Sequence, residues 1–188
     1  MANQKQLDIL EQGVEVWNQW RQEHPDIQPD LDTAYLSNTD LRGANLTEAF
    51  LDRTDLNSAN LTGADLSEAS IHRAFFDIAS LRRVNLTGAT LWNASLVGAD
   101  LTEANLTEAS LDGANLRGAN LTNTTLMGTN LMRVNLTEAT LTGVDLSKAF
   151  IGGTVFGDVD LSVVALAPSK VITQQSRQRY QTPTQAAA

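Results

Sequence analysis

His24 and His72 are the only histidines in a chain of 188 residues that has no cysteine. That inventory narrows the chemistry. It excludes a thiol nucleophile, a disulfide framework and cysteine-ligated zinc. Neither histidine lies in an HExxH motif, and there is no P-loop and no dinucleotide-binding glycine fingerprint. No second ligand of the right kind adjoins His72, so a metal site is not expected there. Serine and threonine are abundant, but no base stands where it would activate one. Asn-Leu-Thr begins at Asn45, Asn60, Asn85, Asn105, Asn120 and Asn135 and matches a glycosylation sequon. Such regular recurrence has a simpler origin in a structural repeat. Types and spacings together argue against an enzyme and imply no cofactor.

The elements behind this pattern show in the stretch LTEANLTEASLDGANLRGANL, residues 101–121, where leucine returns every fifth residue. A helix turns about 100° per residue, so steps of five scatter the leucines around it. A strand alternates its faces, so steps of five point them both ways. The register runs from Leu31 to Leu166 without an insertion, through twenty-eight central positions. All are Leu except Ile71, Phe76, Ile151 and Phe156. From Ala34 to Val164, the residue two places before each centre is Ala, Thr or Val. One large and one small column are therefore specified for an interior. Asn, Asp, Ser and Thr flank the centres, and Gly often follows two places later, as at Gly43, Gly63, Gly88, Gly113 and Gly143. These residues tolerate tight bends, so each pentapeptide reads as a short side plus a turn.

Residues 1–28 differ. Leu7, Leu10, Val14 and Trp17 follow helical spacing, with Ile9, Val16 and Trp20 widening the apolar sector, until Pro25 and Pro29 end the pattern. The spacing predicts one helix near 4–23. Aromatics make up 5% of the chain, so the core must be aliphatic, and the net charge of −9 disfavours nucleic acid and anionic membrane as partners. No apolar run approaches a membrane span. The opening MANQKQLDILEQ lacks a basic-then-apolar signal layout, and a cytoplasmic location is expected.

The units ANLTG, ADLSE, ANLTE and ANLRG, in register over about 31–166, resemble the pentapeptide repeat family. The opening GVEVWNQWRQEHPDIQPDL is similar to the N-terminal helix of cyanobacterial members. The resemblance implies an all-β solenoid: a right-handed quadrilateral β-helix of about seven 20-residue coils. Four bends per coil lead to the same place, since every fifth residue then points inward. The expected organisation is a capping helix and connector at 1–28, the β-helix at 29–168 and a polar, disordered tail at 169–188. Leu10, Val14 and Trp17 should lie over the first coil. At the other end Val163, Val164 and Leu166 leave two choices. Either Val171 and Ile172 fold back over them, or two molecules meet there as an end-to-end homodimer, as related proteins can.

A twenty-residue coil stacks outward residues into columns. One face carries Asp32, Asp52, His72, Trp92, Asp112 and Met132, beside Thr33, Arg53, Arg73, Asn93, Gly113 and Arg133, with Phe50 and Phe150 before two of its centres. Exposed Trp and Met among Arg residues have the composition of interface hot spots. Phe50, Asp52, Arg53, His72, Arg73, Trp92, Met132 and Arg133 are accordingly the candidate face for an unidentified protein partner. The plain alternative is that Trp92 covers its neighbours and Asp52 pairs with His72 one coil above. Phe75 and Ile78 extend the patch around an edge. The expected function is a non-catalytic interaction or scaffold module. The resemblance adds a second reading, a DNA mimic acting on a type II topoisomerase such as gyrase. Charge layout speaks against it: duplex DNA carries one charge per roughly 1.7 Å, whereas Glu48, Glu68 and Glu108 are separated by Gly88 and interrupted by arginines.

Overall fold

The computed structural model describes residues 1–166. The expected tail at 169–188, with Val171 and Ile172, lies outside them. From Asp30 to Asn120 each residue just before a centre bridges in parallel to the residue twenty places later: Asp30 to Phe50, Tyr35 to Asp55, Asp40 to Asn60, Asn45 to Asp65. Four such ladders interleave, so the chain winds with four sides per coil. Each side is too short to be a strand and contributes one bridged residue. The connecting hydrogen bonds repeat with it. Leu51 N donates to Ser70 O at 2.7 Å, Arg53 N to His72 O at 2.9 Å and Asp55 N to Ala34 O at 2.9 Å.

The corners explain the remaining sequence pattern. Ala34 N bonds Leu31 O at 3.0 Å, closing a four-residue turn, and Thr33 within it has φ of 61°. A positive φ at the second central position defines a type II turn. Glycine suits that place, but Glu48, Arg53, Glu68, Arg73, Ile78 and Arg133 adopt it as well. A β-branched residue such as Ile78 is strained there. The residue before the centre secures the same corner. The Asn45 side-chain oxygen accepts from Thr47 N at 3.2 Å and from Thr47 Oγ1 at 2.7 Å. Asn60 with Thr62 and Asn105 with Thr107 repeat the arrangement. Asn-Leu-Thr is thus a turn clasp.

Central leucines from Leu31 to Leu146 are buried, with the small column packed between them. Where that column holds threonine the hydroxyl is satisfied: Thr54 Oγ1 donates to Leu31 O at 2.9 Å, and Thr124 to Leu101 O at 2.8 Å. Burying each leucine contributes roughly 1.5–3 kcal/mol.

The expected single helix is two. α1 spans Gln4–Leu10 and α2 spans Val14–Glu23. Gly13 separates them with φ of 111°, a value no helix accommodates. Val16, expected to be apolar lining, is exposed. Leu10 and Trp17 are buried, and Val14 is half-buried against the core. The helices also meet the backbone edge left unpaired where the coils begin. Trp17 Nε1 donates to Asn45 O at 2.8 Å, Asn18 Nδ2 to Gly43 O at 2.9 Å, and Asn45 N to Asn18 Oδ1 at 2.8 Å. Asp30 N donates to Gln6 Oε1 at 2.6 Å, and Arg21 Nη2 reaches Thr47 O at 3.2 Å. Burial pushes the Arg21 guanidinium below its usual pKa, and Glu48 partly opposes this. At the far end Asp160 accepts from Ser162 N to start a 3₁₀ turn, Leu161–Val163. Val164 is buried there, Leu166 is half-buried and Val163 is exposed.

Three substitutions test these contacts and corners. Trp17→Phe keeps the packing but strands the Asn45 carbonyl, and should cost about 1–2 kcal/mol. Trp17→Ala should cost about 3–5 kcal/mol. No loss for Trp17→Phe in urea unfolding would show that the indole hydrogen bond contributes nothing. Ile78→Gly should raise stability by about 0.5–1 kcal/mol, since it relieves the left-handed backbone.

Candidate partner-recognition wall

The wall centred on Leu31, Leu51, Ile71, Leu91, Leu111, Leu131 and Ile151 is the first wall; the next in chain order is the second. The corner between them brings three of the expected residues into contact. Asp52 Oδ2 lies 3.1 Å from His72 Nδ1. The other Asp52 oxygen accepts from His72 N at 2.9 Å and from the Ser70 hydroxyl at 2.8 Å. The His72 and Trp92 rings pack at 4.8 Å, tilted by 40°. Trp92 Nε1 then donates to Ser110 Oγ at 2.7 Å. Both the ion pair and the covering role considered for Trp92 are present. Even so, Trp92 remains 48% exposed, enough to serve a partner as well.

Serine, histidine and aspartate are adjacent here but not in catalytic order. A serine triad places the hydroxyl on one imidazole nitrogen and the carboxylate on the other. Here Ser70 Oγ and Asp52 both approach Nδ1, at 3.1 Å each. Nε2 is buried with no hydrogen-bond partner. The Ser70 hydroxyl donates its hydrogen bond to the carboxylate, so the imidazole does not stand between the two as it does in a triad. Among the described residues no group of three His, Cys, Asp or Glu could hold a metal ion, and no helix is long and apolar enough to cross a membrane.

The remaining candidates divide. Arg133 is joined to Asp112 by two hydrogen bonds, one of them 2.9 Å from Nε. Its guanidinium holds the Asp112 carboxyl below the usual range. Arg53 and Arg73 stand one coil apart, and no ion pair engages either among the described residues. Phe50 and Met132 are 40% and 42% exposed. Met132 lies two coils above Trp92 and does not join the His72 cluster. Around the corner Phe75 is 46% exposed and Ile78 is 73% exposed.

One set of supporting residues escaped the sequence reading. Phe50 and Phe75 occupy the place where Asn or Asp elsewhere clasps the turn, so their corners lack that clasp. The orphaned amides are met from the coil below. Asp52 N donates to Asp32 Oδ1 at 2.9 Å, and Asp77 N to Asn57 Oδ1 at 2.8 Å. The next coil continues both series, with His72 N on Asp52 and Val97 N on Asp77. The visible signal was Asp and Asn standing after the centre, where Thr and Ser prevail.

A chain wound as four parallel ladders around a dry aliphatic axis is a β-helix solenoid, a repeat protein whose outer walls carry its individuality. A family model described as Pentapeptide repeats matches it at residues 34–73, 79–118 and 114–153, in eight copies. The chain belongs to the pentapeptide repeat family, and its fold is a right-handed β-helix. Solved structures with likeness to it include HetL, a pentapeptide repeat protein involved in heterocyst differentiation regulation from the cyanobacterium Nostoc sp. strain PCC 7120. It is 28% identical, over 76% of this chain and 80% of that one, with a TM-score of 0.27. Rfr23 from the cyanobacterium Cyanothece 51142 is 27% identical, over 79% and 97%, with a TM-score of 0.34. QnrB1, a plasmid-mediated fluoroquinolone resistance protein, is 17% identical, over 70% and 79%, with a TM-score of 0.42. At such scores the family assignment rests on the repeat match. No match was found among curated proteins.

The Asp52 cluster yields a pH prediction. Burial alone would raise the Asp52 carboxyl; hydrogen bonds from His72 N, Ser70 and the imidazole, with the imidazole charge, outweigh it and lower the pKa. A carboxyl depressed on folding adds stability above its unfolded pKa and loses it as pH falls through the folded value. The stability gap between the native chain and Asp52→Asn should therefore be widest near neutrality and close as pH falls below about 4. Urea titrations at several pH values read this directly, and a gap independent of pH would refute it.

Proposed function

We propose that this chain is a non-catalytic recognition module, and that its partner face is the first wall with the adjoining corner: Phe50, Asp52, Arg53, His72, Arg73, Trp92, Met132 and Arg133. One observation carries the reading. Outward aromatics replace the turn clasp at Phe50 and Phe75, and Asp32 and Asn57 in the coil below take over the orphaned amides. The interior has no use for either aromatic ring, since both are substantially exposed. Their display is compatible with the core but not required by it. In this reading residues 29–168 form about seven coils, α1 and α2 are the lid, and the walls do the recognising.

The charges favour this over mimicry of a duplex. Arg82 with Asp100, Arg117 with Glu138 and Arg133 with Asp112 neutralise carboxylates that a mimic would present. An end-to-end contact through Val163, Val164 and Leu166 is a further proposed association, supported by the exposure of Val163.

The test pairs Trp92→Ala with Arg73→Ala, after circular dichroism has verified the fold. Loss of two hot-spot groups should weaken capture of the specific partner from native lysate at least about tenfold. Capture that survives unchanged would remove this wall from consideration.

A further inference from the structure

The first wall has a line of outward residues at its middle and a corner column along each margin. Opposite residues at one height are strongly unlike. Arg53 and Arg73 on one margin stand level with Glu48 and Glu68 on the other. Level with Trp92 and Met132, the bulky apolar groups of the first margin, stand Gly88 and Gly128. Phe50 and Phe150 lie on the middle line, 40% and 60% exposed.

Resting on the recognition reading above, we propose that the occupant of this wall is a second copy of the same chain, packed side by side with its coil axis parallel. A two-fold axis running along the coils turns one margin onto the other at equal height. Arg53 and Arg73 of each copy then meet Glu48 and Glu68 of the other. Trp92 and Met132 meet Gly88 and Gly128. Phe50 and Phe150 meet their own counterparts on the axis. Every contact off the axis occurs twice, as an isologous interface demands. The carboxylates on the arginine margin raise no clash, because Asp52 is held by His72 and Asp112 by Arg133. Turning the second copy head to tail instead sets the glutamate margin against itself, so charge selects the parallel arrangement.

One rearrangement is required. The Glu68 carboxylate now lies over Gly88, in the space a Cβ there would enter. Swinging it out to Arg73 of the second copy clears that hollow for Trp92. The footprint is small. Six coil rises of about 4.8 Å by four residues of about 3.3 Å give roughly 400 Å² per copy. A standard interface has about 800 Å² per partner, so association should fall in the micromolar range or weaker.

The experiment is a charge exchange read by sedimentation velocity on the full chain at about 100 µM, where micromolar association is populated. The native chain should sediment as a dimer. Arg53→Glu/Arg73→Glu and Glu48→Arg/Glu68→Arg should each sediment as monomers. An equimolar mixture of the two should recover the dimer, because each then offers the other opposite charges. The chain has no cysteine, so Thr90→Cys on the middle line should form a disulfide dimer on oxidation. Thr140→Cys on the opposite wall should not. A native chain that stays monomeric overturns the proposal, as does a mixture that fails to recover. A dimer unaffected by the charge exchange but lost in Val163→Asp assigns association to the coil end and overturns it too. The broader recognition reading stands apart from these outcomes: a photoreactive residue at position 92 that captures a different protein preserves it while excluding the second copy.

Discussion

Every part of this molecule depends on the hydrogen bonds that run from each coil to the next through residues nineteen to twenty-one places apart. They require each pentapeptide to turn by nearly the same amount at the same place, and from Thr33 to Gly143 the left-handed residue in each corner supplies that turn. Once the corners are fixed, the central side chains have nowhere to point but the axis. The aliphatic interior then needs no particular shape beyond one large and one small group per side. This accounts for a core almost free of aromatics, with Trp17 and Phe76 the large rings fully buried within it.

That dependence explains what could be read from the sequence. The interior is periodic because its geometry is periodic, so the leucine and alanine columns announced the coil length and the inward faces. The candidate corner was half legible: Asp52, His72 and Trp92 were placed together by counting in twenties. The supporting roles of Asp32 and Asn57 were hidden, because they compensate for a bond that Phe50 and Phe75 fail to make, and an absent bond leaves no motif. The start of the chain was the least legible. An apolar pattern with period near 3.6 spans Gly13 unbroken, yet the backbone leaves helical angles there. Nothing in that apolar pattern marks the polar side chains Gln6, Asn18 and Arg21. They turn toward the solenoid because its first coil has open amides and carbonyls, a demand created by the tertiary fold.

The walls obey different rules from the core. A substitution on the axis is felt by the coils above and below, whereas an outward one meets few neighbours and is limited mainly by the corner it sits on. Phe50 and Phe75 show how that limit is met, by lending hydrogen bonds between coils. The Asp52 carboxylate serves three donors at once, so the corner that carries Trp92 is also among the better fastened. A firm platform under an exposed ring favours recognition, because little freedom is left to lose when a second surface arrives.

The unbroken register has an evolutionary corollary. Deleting a single pentapeptide leaves the interior chemically unchanged, since any leucine can stack on any other. It also rotates everything downstream by a quarter turn, so columns built up on one wall continue on its neighbour. Such a chain can reshuffle its outer mosaic wholesale while its hydrophobic axis registers almost nothing.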